Sequence, residues 1–149
     1  NTKSRLRMVT LYQIAGTVGG IVVGTGNKVE DYGIGFYTKY GDGGIDIAPI
    51  ADLYKTEVWE LGKHFGVEER IINAAPTDGL WDDGRTDEDQ LGASYDELEW
   101  AMLENEKGKK EENFVGREKK VFEIYKRLNT SNQHKMKEIP VCFVPEKLK

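Results

Sequence analysis

The stretch Ile21-Val22-Val23-Gly24-Thr25-Gly26-Asn27-Lys28-Val29-Glu30 decides the fold. Three β-branched residues flanked by glycine are too short a run for a buried helix. They read as a strand covered on both faces, as in a parallel sheet. The strand runs straight into a turn of small residues that opens a second helix. Upstream, Ser4 to Ala15 carries Met8, Tyr12 and Ala15 on one helical stripe with Leu11 beside it, and Gly16, Gly19 and Gly20 end that helix. Helix, buried strand, Gly-rich turn and helix together are part of an open α/β sheet, whose ligands bind outside the carboxyl ends of the strands. The Gly24 to Glu30 turn would lie there.

Downstream, Gly41-Asp42-Gly43-Gly44 is a turn by composition, and Ile45, Ile47 and Ile50 form a short extended segment around Asp46 and Pro49. Asp52 is placed to cap the next helix, on which Tyr54, Val58, Leu61 and Phe65 repeat at helical spacing and predict one buried face. Val67 to Asn73 reads as another short helix closed by Pro76. The polar, glycine-punctuated stretch that follows is too long for a simple turn. Residues 76–90 are expected to form a lid, with Gly79 and Gly84 as hinges, Asp78, Asp82, Asp83 and Asp87 keeping it solvated, and Trp81 as its single large aromatic. Thr86 with Asp89, and Ser94 with Glu97, are two capping patterns. The second opens a helix with Tyr95, Leu98 and Met102 on its inner stripe and Glu97, Glu99, Glu104 and Glu106 mostly facing water. Gly116 to Leu128 is one more amphipathic helix, through Val121, Ile124, Tyr125 and Leu128, and Ser131 to Lys149 reads as an irregular tail.

At 149 residues, with 38% hydrophobic, 32% charged and 10% aromatic positions, the chain has enough material for one core, which excludes a small disulfide-stapled scaffold. The longest apolar run supplies only Ile21, Val22 and Val23 as large side chains, where a bilayer span takes about 20 residues, so no membrane partner is expected. One cysteine, Cys142, and two histidines, His64 and His134, make no zinc cluster, and a reducing cytoplasm is the expected compartment. Charge is uneven: residues 1–106 sum to −11 and residues 107–149 to +6. The basic tail is interrupted by Glu111, Glu112, Glu118, Glu123 and Glu138, so it reads as a solvated face able to meet the acidic half of a neighbouring subunit, with no nucleic acid expected. Opening on Asn1 without an initiator Met, the chain is expected to be a fragment or a processed chain.

The Gly24 to Glu30 turn can grip a phosphate, because glycines let backbone N–H groups approach and a helix N-terminus favours negative charge. Neither the Walker P-loop spacing nor the dinucleotide fingerprint is present. Glu30 reads either as a helix-dipole partner or as a magnesium ligand. Lys39 and Lys55 flank the Gly-rich segment as solvated lysines or phosphate partners, and His134-Lys135 reads as an exposed pair or a ligand clamp. No Ser/His/Asp or Cys/His set points to a covalent nucleophile.

Gly24-Thr25-Gly26-Asn27-Lys28-Val29-Glu30, then Phe36 to Gly44, Asp46 to Ile50 and Leu53 to Thr56 resemble consecutive signature blocks of NAD synthetase. Pro76-Thr77 with Leu80, the run Thr86 to Gly92 with Ser94 to Glu97, and His134-Lys135 continue the resemblance to the end of the chain. It implies an N-type ATP pyrophosphatase with an open, mostly parallel Rossmann-like sheet of the adenine nucleotide alpha hydrolase kind. Such enzymes adenylate the nicotinate carboxylate of deamido-NAD with ATP, and ammonia then displaces AMP to give NAD.

Carried over by position, the resemblance implies Thr25, Lys55 and Thr77 as ATP contacts, with Lys55 as the catalytic phosphate ligand, and Glu30 as the ligand of Mg2+. It implies Arg5, Lys39, Asp46, His134 and Lys135 as deamido-NAD contacts, and a homodimer. The family's Ser-Gly-Gly-x-Asp-Ser pyrophosphate loop does not occur in this sequence. Residues 1–149 are therefore expected to be the C-terminal portion of a single NAD synthetase domain, without its first strands. The alternatives are another amide-forming ATP pyrophosphatase, such as GMP synthetase, and a non-catalytic nucleotide-binding or assembly module.

Overall fold

The N-terminal helix α1 runs from Thr2 to Val18 in a computed structural model that describes residues 1–81 and 83–149. Its inner stripe is the one the spacing predicts: Met8, Tyr12 and Ala15 are partly covered, and Ser4 continues the line as a buried residue. The opposite faces leave Leu6, Val9, Ile14 and Val18 exposed. Gly19, in the left-handed conformation at φ 68°, ends the helix, as glycine readily does. Gly16 lies inside it.

The Ile21 to Val23 strand is reduced to a single parallel bridge between Val23 and Ile47. Gly24 N donates to Ile47 O at 2.8 Å and Asp46 N to Val22 O at 2.9 Å. Among the described residues no further strand joins this pair. The expected strand covered on both faces is therefore corrected: Val22 is buried, while Ile21 and Val23 are 60% and 50% exposed. With one extended neighbour the segment has one inner face, and among the described residues this parallel bridge is what is present of the expected open sheet. Gly24 makes the crossing possible, since a Cβ there would run into the Ile45 side chain and lie 3.3 Å from Ile47 O.

The second helix is a short π-helix, Val29–Ile34. Asn27 Oδ1 accepts from Val29 N and Glu30 N at 3.0 and 3.1 Å, while Glu30 Oε2 accepts from Asn27 N at 3.1 Å. The turn thus caps itself, using donors that a helix start leaves unpaired.

The π-helix is followed by α2 (Lys55–His64), α3 (Glu69–Ile72), α4 (Asp87–Leu91), α5 (Tyr95–Glu106) and α6 (Gly116–Ser131), and the core sits where it meets the last two. Val29 and Ile34 pack with Leu98, Ala101 and Met102 of α5 (Tyr95–Glu106) and with Val121, Phe122 and Tyr125 of α6 (Gly116–Ser131). Both expected capping boxes form, Thr86 with Asp89 and Ser94 with Glu97. Glu99 departs from its expected solvent position. It is 8% exposed, and its carboxylate accepts from Thr56 N and Oγ1 at the start of another helix, Lys55–His64. That helix is capped by Tyr54 and Glu57 instead of Asp52, which pairs with Lys28 at 3.2 Å. Its predicted apolar face is covered only in part: Tyr54 packs against the core, but Leu61 and Phe65 are 37% and 72% exposed, because the helix packs chiefly on α5 and the short helix Glu69–Ile72. In the expected tail, Gln133–Met136 is helical. Among the described residues, no helix is long and apolar enough to cross a membrane.

Candidate nucleotide site

The Gly24 to Glu30 turn borders two adjoining pockets, of about 360 and 680 Å³, which share Thr25, Tyr37 and Asp42 on their walls. Glu30, Asp31 and Asp87 line the smaller pocket. Tyr95, wholly buried at the first position of α5, lies between Glu30 and Asp87. Its hydroxyl donates to Glu30 Oε1 and lies 3.2 Å from Asp87 Oδ2. Lys55, at the head of its helix, completes the group: Nζ is 3.9 Å from Glu30 Oε1 and 5.1 Å from the centroid of the Tyr95 ring.

Burial dominates the electrostatics here. It pushes the Asp31 carboxyl up to about 6, helped by the negative charges of Glu30 and Asp42. Burial also raises Asp87, partly offset by the Tyr95 hydroxyl, and raises the Tyr95 phenol above its ordinary value, with Glu30 and Asp87 adding to it. Asp87 Oδ1 is buried without a hydrogen-bond partner. A concave site lined by carboxylates, with an orphaned acceptor, suits a hard cation that keeps waters and phosphate oxygens in its shell. Among the described residues no group of three His, Cys, Asp or Glu side chains is arranged to hold a metal by itself.

A second constellation centres on Lys135, which lines the larger pocket with Gly35, Tyr37 and Asp42. Lys135 Nζ donates to Gly35 O and Tyr37 O, both at 2.8 Å, and the Tyr37 hydroxyl donates to Lys135 O at 2.6 Å. Desolvation lowers the Lys135 pKa from its usual value, with Asp42 opposing. Lys39 Nζ donates to His134 O at 2.6 Å, and Arg5 Nε to Lys39 O at 3.3 Å. Ser4 and Asp42 lock α1 to the glycine turn, the hydroxyl donating to Asp42 Oδ1 at 2.6 Å and accepting from Asp42 N at 3.0 Å. A Cβ on Gly41 would collide with that Ser4 hydroxyl and lie 2.9 Å from Thr38 Cβ.

Of the residues singled out in the sequence, Thr25 and Glu30 line the smaller pocket and Lys55 approaches it through Glu30, while Arg5, Lys39, His134 and Lys135 are joined by the hydrogen bonds of the second constellation. Asp46 is engaged in the bridge, where it accepts from Val22 N at 2.7 Å and from the Tyr12 hydroxyl at 3.1 Å. Thr77 stands apart, exposed in the loop, with its hydroxyl 3.4 Å from Arg85 O. The loop itself is tied to α1, with Arg7 donating to Asp78 O and Gly79 O and Lys3 to Leu80 O. Trp81 remains 55% exposed, and the expected contribution of Asp82 lies outside the described residues. Asp87 and Tyr95 were hidden in the sequence, one inside a capping run and the other on a helix stripe that reads as core. A tyrosine at the first position of a helix just after an acidic turn is the one signal that could have found them.

The sequence model of the NAD synthase family matches residues 1–139. The chain is 52% identical to the NH(3)-dependent NAD(+) synthetase of Pyrococcus horikoshii over 114 residues, 74% of this chain and 44% of that one. It is 43% identical to the enzyme of that name from Archaeoglobus fulgidus over 148 residues, 99% of this chain and 57% of that one. The chain therefore spans about half the length of the curated relatives it matches. Among solved structures, the NMN synthetase of Francisella tularensis superposes with a TM-score of 0.77 at 36% identity, covering 97% of this chain and 55% of that one. An NH3-dependent NAD synthetase from Campylobacter jejuni, at 24% identity and a TM-score of 0.70, covers 95% of this chain and 54% of that one and bears on the fold alone. Both likenesses are consistent with an α/β Rossmann-like fold, of which the Val23–Ile47 bridge is the local trace. With the family model extending over nearly all of the Gly-rich turn, the α5 and α6 helices and the two constellations, this chain belongs to the NAD synthase family.

Proposed function

We propose that residues 1–149 are the C-terminal portion of an ammonia-dependent NAD synthetase. Such an enzyme lets a carboxylate oxygen of deamido-NAD attack the α-phosphorus of ATP, so that pyrophosphate leaves and an acyl-adenylate forms. Ammonia then adds to the acyl carbon, AMP leaves, and a proton is lost to give the amide of NAD. The observation that carries this reading is a pocket beside a glycine-rich turn, lined by Thr25 and Glu30, with the Lys55 ammonium 3.9 Å from the Glu30 carboxylate, in a chain of this family. Lys55 is the compact cation for an ATP phosphate, Thr25 and Thr77 are hydroxyl contacts for the nucleotide, and Glu30, which lines the pocket with Asp87, would hold Mg2+. When bound, the metal supplies neutralisation of the phosphate charge. Arg5, Lys39, Asp46, His134 and Lys135 are the proposed deamido-NAD contacts; Lys135 lines the larger pocket, and Lys39 is tied to His134, the neighbour of Lys135.

The exposed apolar residues of α1 and the split of charge along the chain support a homodimer, and the single free, exposed Cys142 accords with a reducing cytoplasm. Sedimentation of the full-length protein at micromolar concentration should show the dimer; a monomer there removes that part of the proposal.

The test of activity is an assay of the full-length protein and of residues 1–149 with deamido-NAD, ATP, Mg2+ and ammonia, reading AMP and NAD. The full-length protein should turn over and the 149-residue chain should not. Robust turnover by the short chain would refute the reading of it as part of a longer site. The likeness to an NMN synthetase favours a second reading, amidation at the mononucleotide level, and offering the two nicotinate substrates in competition separates them.

A further inference from the structure

Tyr95 does more than fill the core. It is 0% exposed, and its backbone N–H donates to Glu88 Oε1 at 3.1 Å, so neither its ring nor its hydroxyl is free to wander. A phenylalanine would fill the same volume. The hydroxyl is instead set between two carboxylates, of Glu30 and Asp87, where a buried polar group is costly unless it is paired. It has one proton to give, and Glu30 receives it. The ring face meanwhile lies under the ammonium of Lys55, 5.1 Å from Nζ to the centroid. Lys55 and Glu30 are also 3.9 Å apart, close enough to collapse onto each other as a plain ion pair. The phenol holds one of them by an edge and the other by a face.

We infer that Tyr95 is a positioning residue that fixes the Glu30 carboxylate through its hydroxyl and the Lys55 ammonium through its ring, so that each is presented separately to a metal-bound nucleotide. This rests on the function proposed above, and it separates two contacts that two substitutions can dissect.

The experiment uses the full-length protein and its Tyr95→Phe and Tyr95→Leu variants. Mn2+ binding is followed by its electron paramagnetic resonance signal in the presence of a non-hydrolysable ATP analogue, and analogue binding without metal is followed by calorimetry. Tyr95→Phe should weaken Mn2+ binding by about tenfold, the size expected for one hydrogen bond to a charged group, and leave metal-free analogue binding within about twofold. Tyr95→Leu should weaken both. Melting temperatures identify any loss due to unfolding, and Tyr95→Phe, which keeps the ring volume, should melt close to wild type. If Tyr95→Phe binds Mn2+ as wild type does, or if the two variants fail equally, the positioning role is overturned. If the wild-type protein binds neither the analogue nor Mn2+ with it, the proposed function falls instead.

Discussion

The carboxylate of Glu99 closes the first turn of the Lys55–His64 helix, accepting from Thr56 N at 3.1 Å and from Thr56 Oγ1 at 2.7 Å across 43 residues of sequence. This cap comes from a different helix. It ties the orientation of Lys55 to α5, the same helix that carries Tyr95. Glu99→Ala strips the partner from a helix-start N–H and a hydroxyl, and should destabilise the protein by about 2 kcal/mol. Urea unfolding checks it, and a loss below about 0.5 kcal/mol, the size of an ordinary surface change, would refute the cap.

Lys55 should matter to chemistry more than to folding. Its side chain is 22% exposed, and its removal leaves Glu30 bonded to Tyr95 and Asn27. In the full-length enzyme Lys55→Ala should lower kcat/KM by about two to three orders of magnitude, as expected for a lost phosphate clamp, with little change in melting temperature. The opposite pattern, full activity and a large drop in melting temperature, would make it a structural lysine.

The loop after Pro76 should loosen when Arg7 is removed. Arg7 donates to Asp78 O at 3.2 Å and Gly79 O at 2.9 Å, both on exposed surface. In Arg7→Ala, amide exchange at Gly79 and Leu80 should quicken, and ATP with deamido-NAD should slow it in the wild-type enzyme if the loop closes as a lid. Unchanged exchange in the variant would show that these bonds do not hold the loop. Ligand-free protection equal to that of the core helices would rule out the lid.

Arg117 clamps Glu97, with Nε 2.7 Å from Oε1, and holds that carboxyl below its usual value of 4.5. A depressed folded-state pKa contributes stability that is complete above the unfolded value and is lost as pH falls through the folded one. Arg117→Gln should therefore melt lower than wild type at neutral pH, and the gap should close as pH drops below 4.5. A gap independent of pH would assign the effect to packing.

The local elements were legible because their signals are local. The two capping boxes, the inner stripe of α1 and the Tyr95, Leu98 and Met102 face all follow from spacings within a few residues. The sheet was not. Ile21, Val22 and Val23 announce a strand, but pairing depends on what lies beside them, and among the described residues that is the short Asp46–Ile47 segment. The same reason hid Glu99 and Asp87. Glu99 looks like a solvated acid on a helix and Asp87 like a solvated acid of the loop, and each is buried in the folded chain, Glu99 against Thr56 and Asp87 against Tyr95. Among the proposed site residues, Glu30 and Lys55 stood out through the sequence blocks that carry the family resemblance, whereas Tyr95 was masked by its own aromatic ring.

The carbonyls of Gly33, Ile34, Gly35 and Tyr37 are answered by the side chains of Asn129, Asn132 and Lys135, which arrive 96 to 100 residues later in the chain. During synthesis the end of the π-helix therefore leaves the ribosome long before the groups that finish it. The wall of the pocket sets last, after the α5 and α6 helices have met, and the cost of closing so long a loop is met only at the end. A nascent chain halted before Asn129 should leave residues 33–37 open to proteases, and release of the segment through Lys135 should close them.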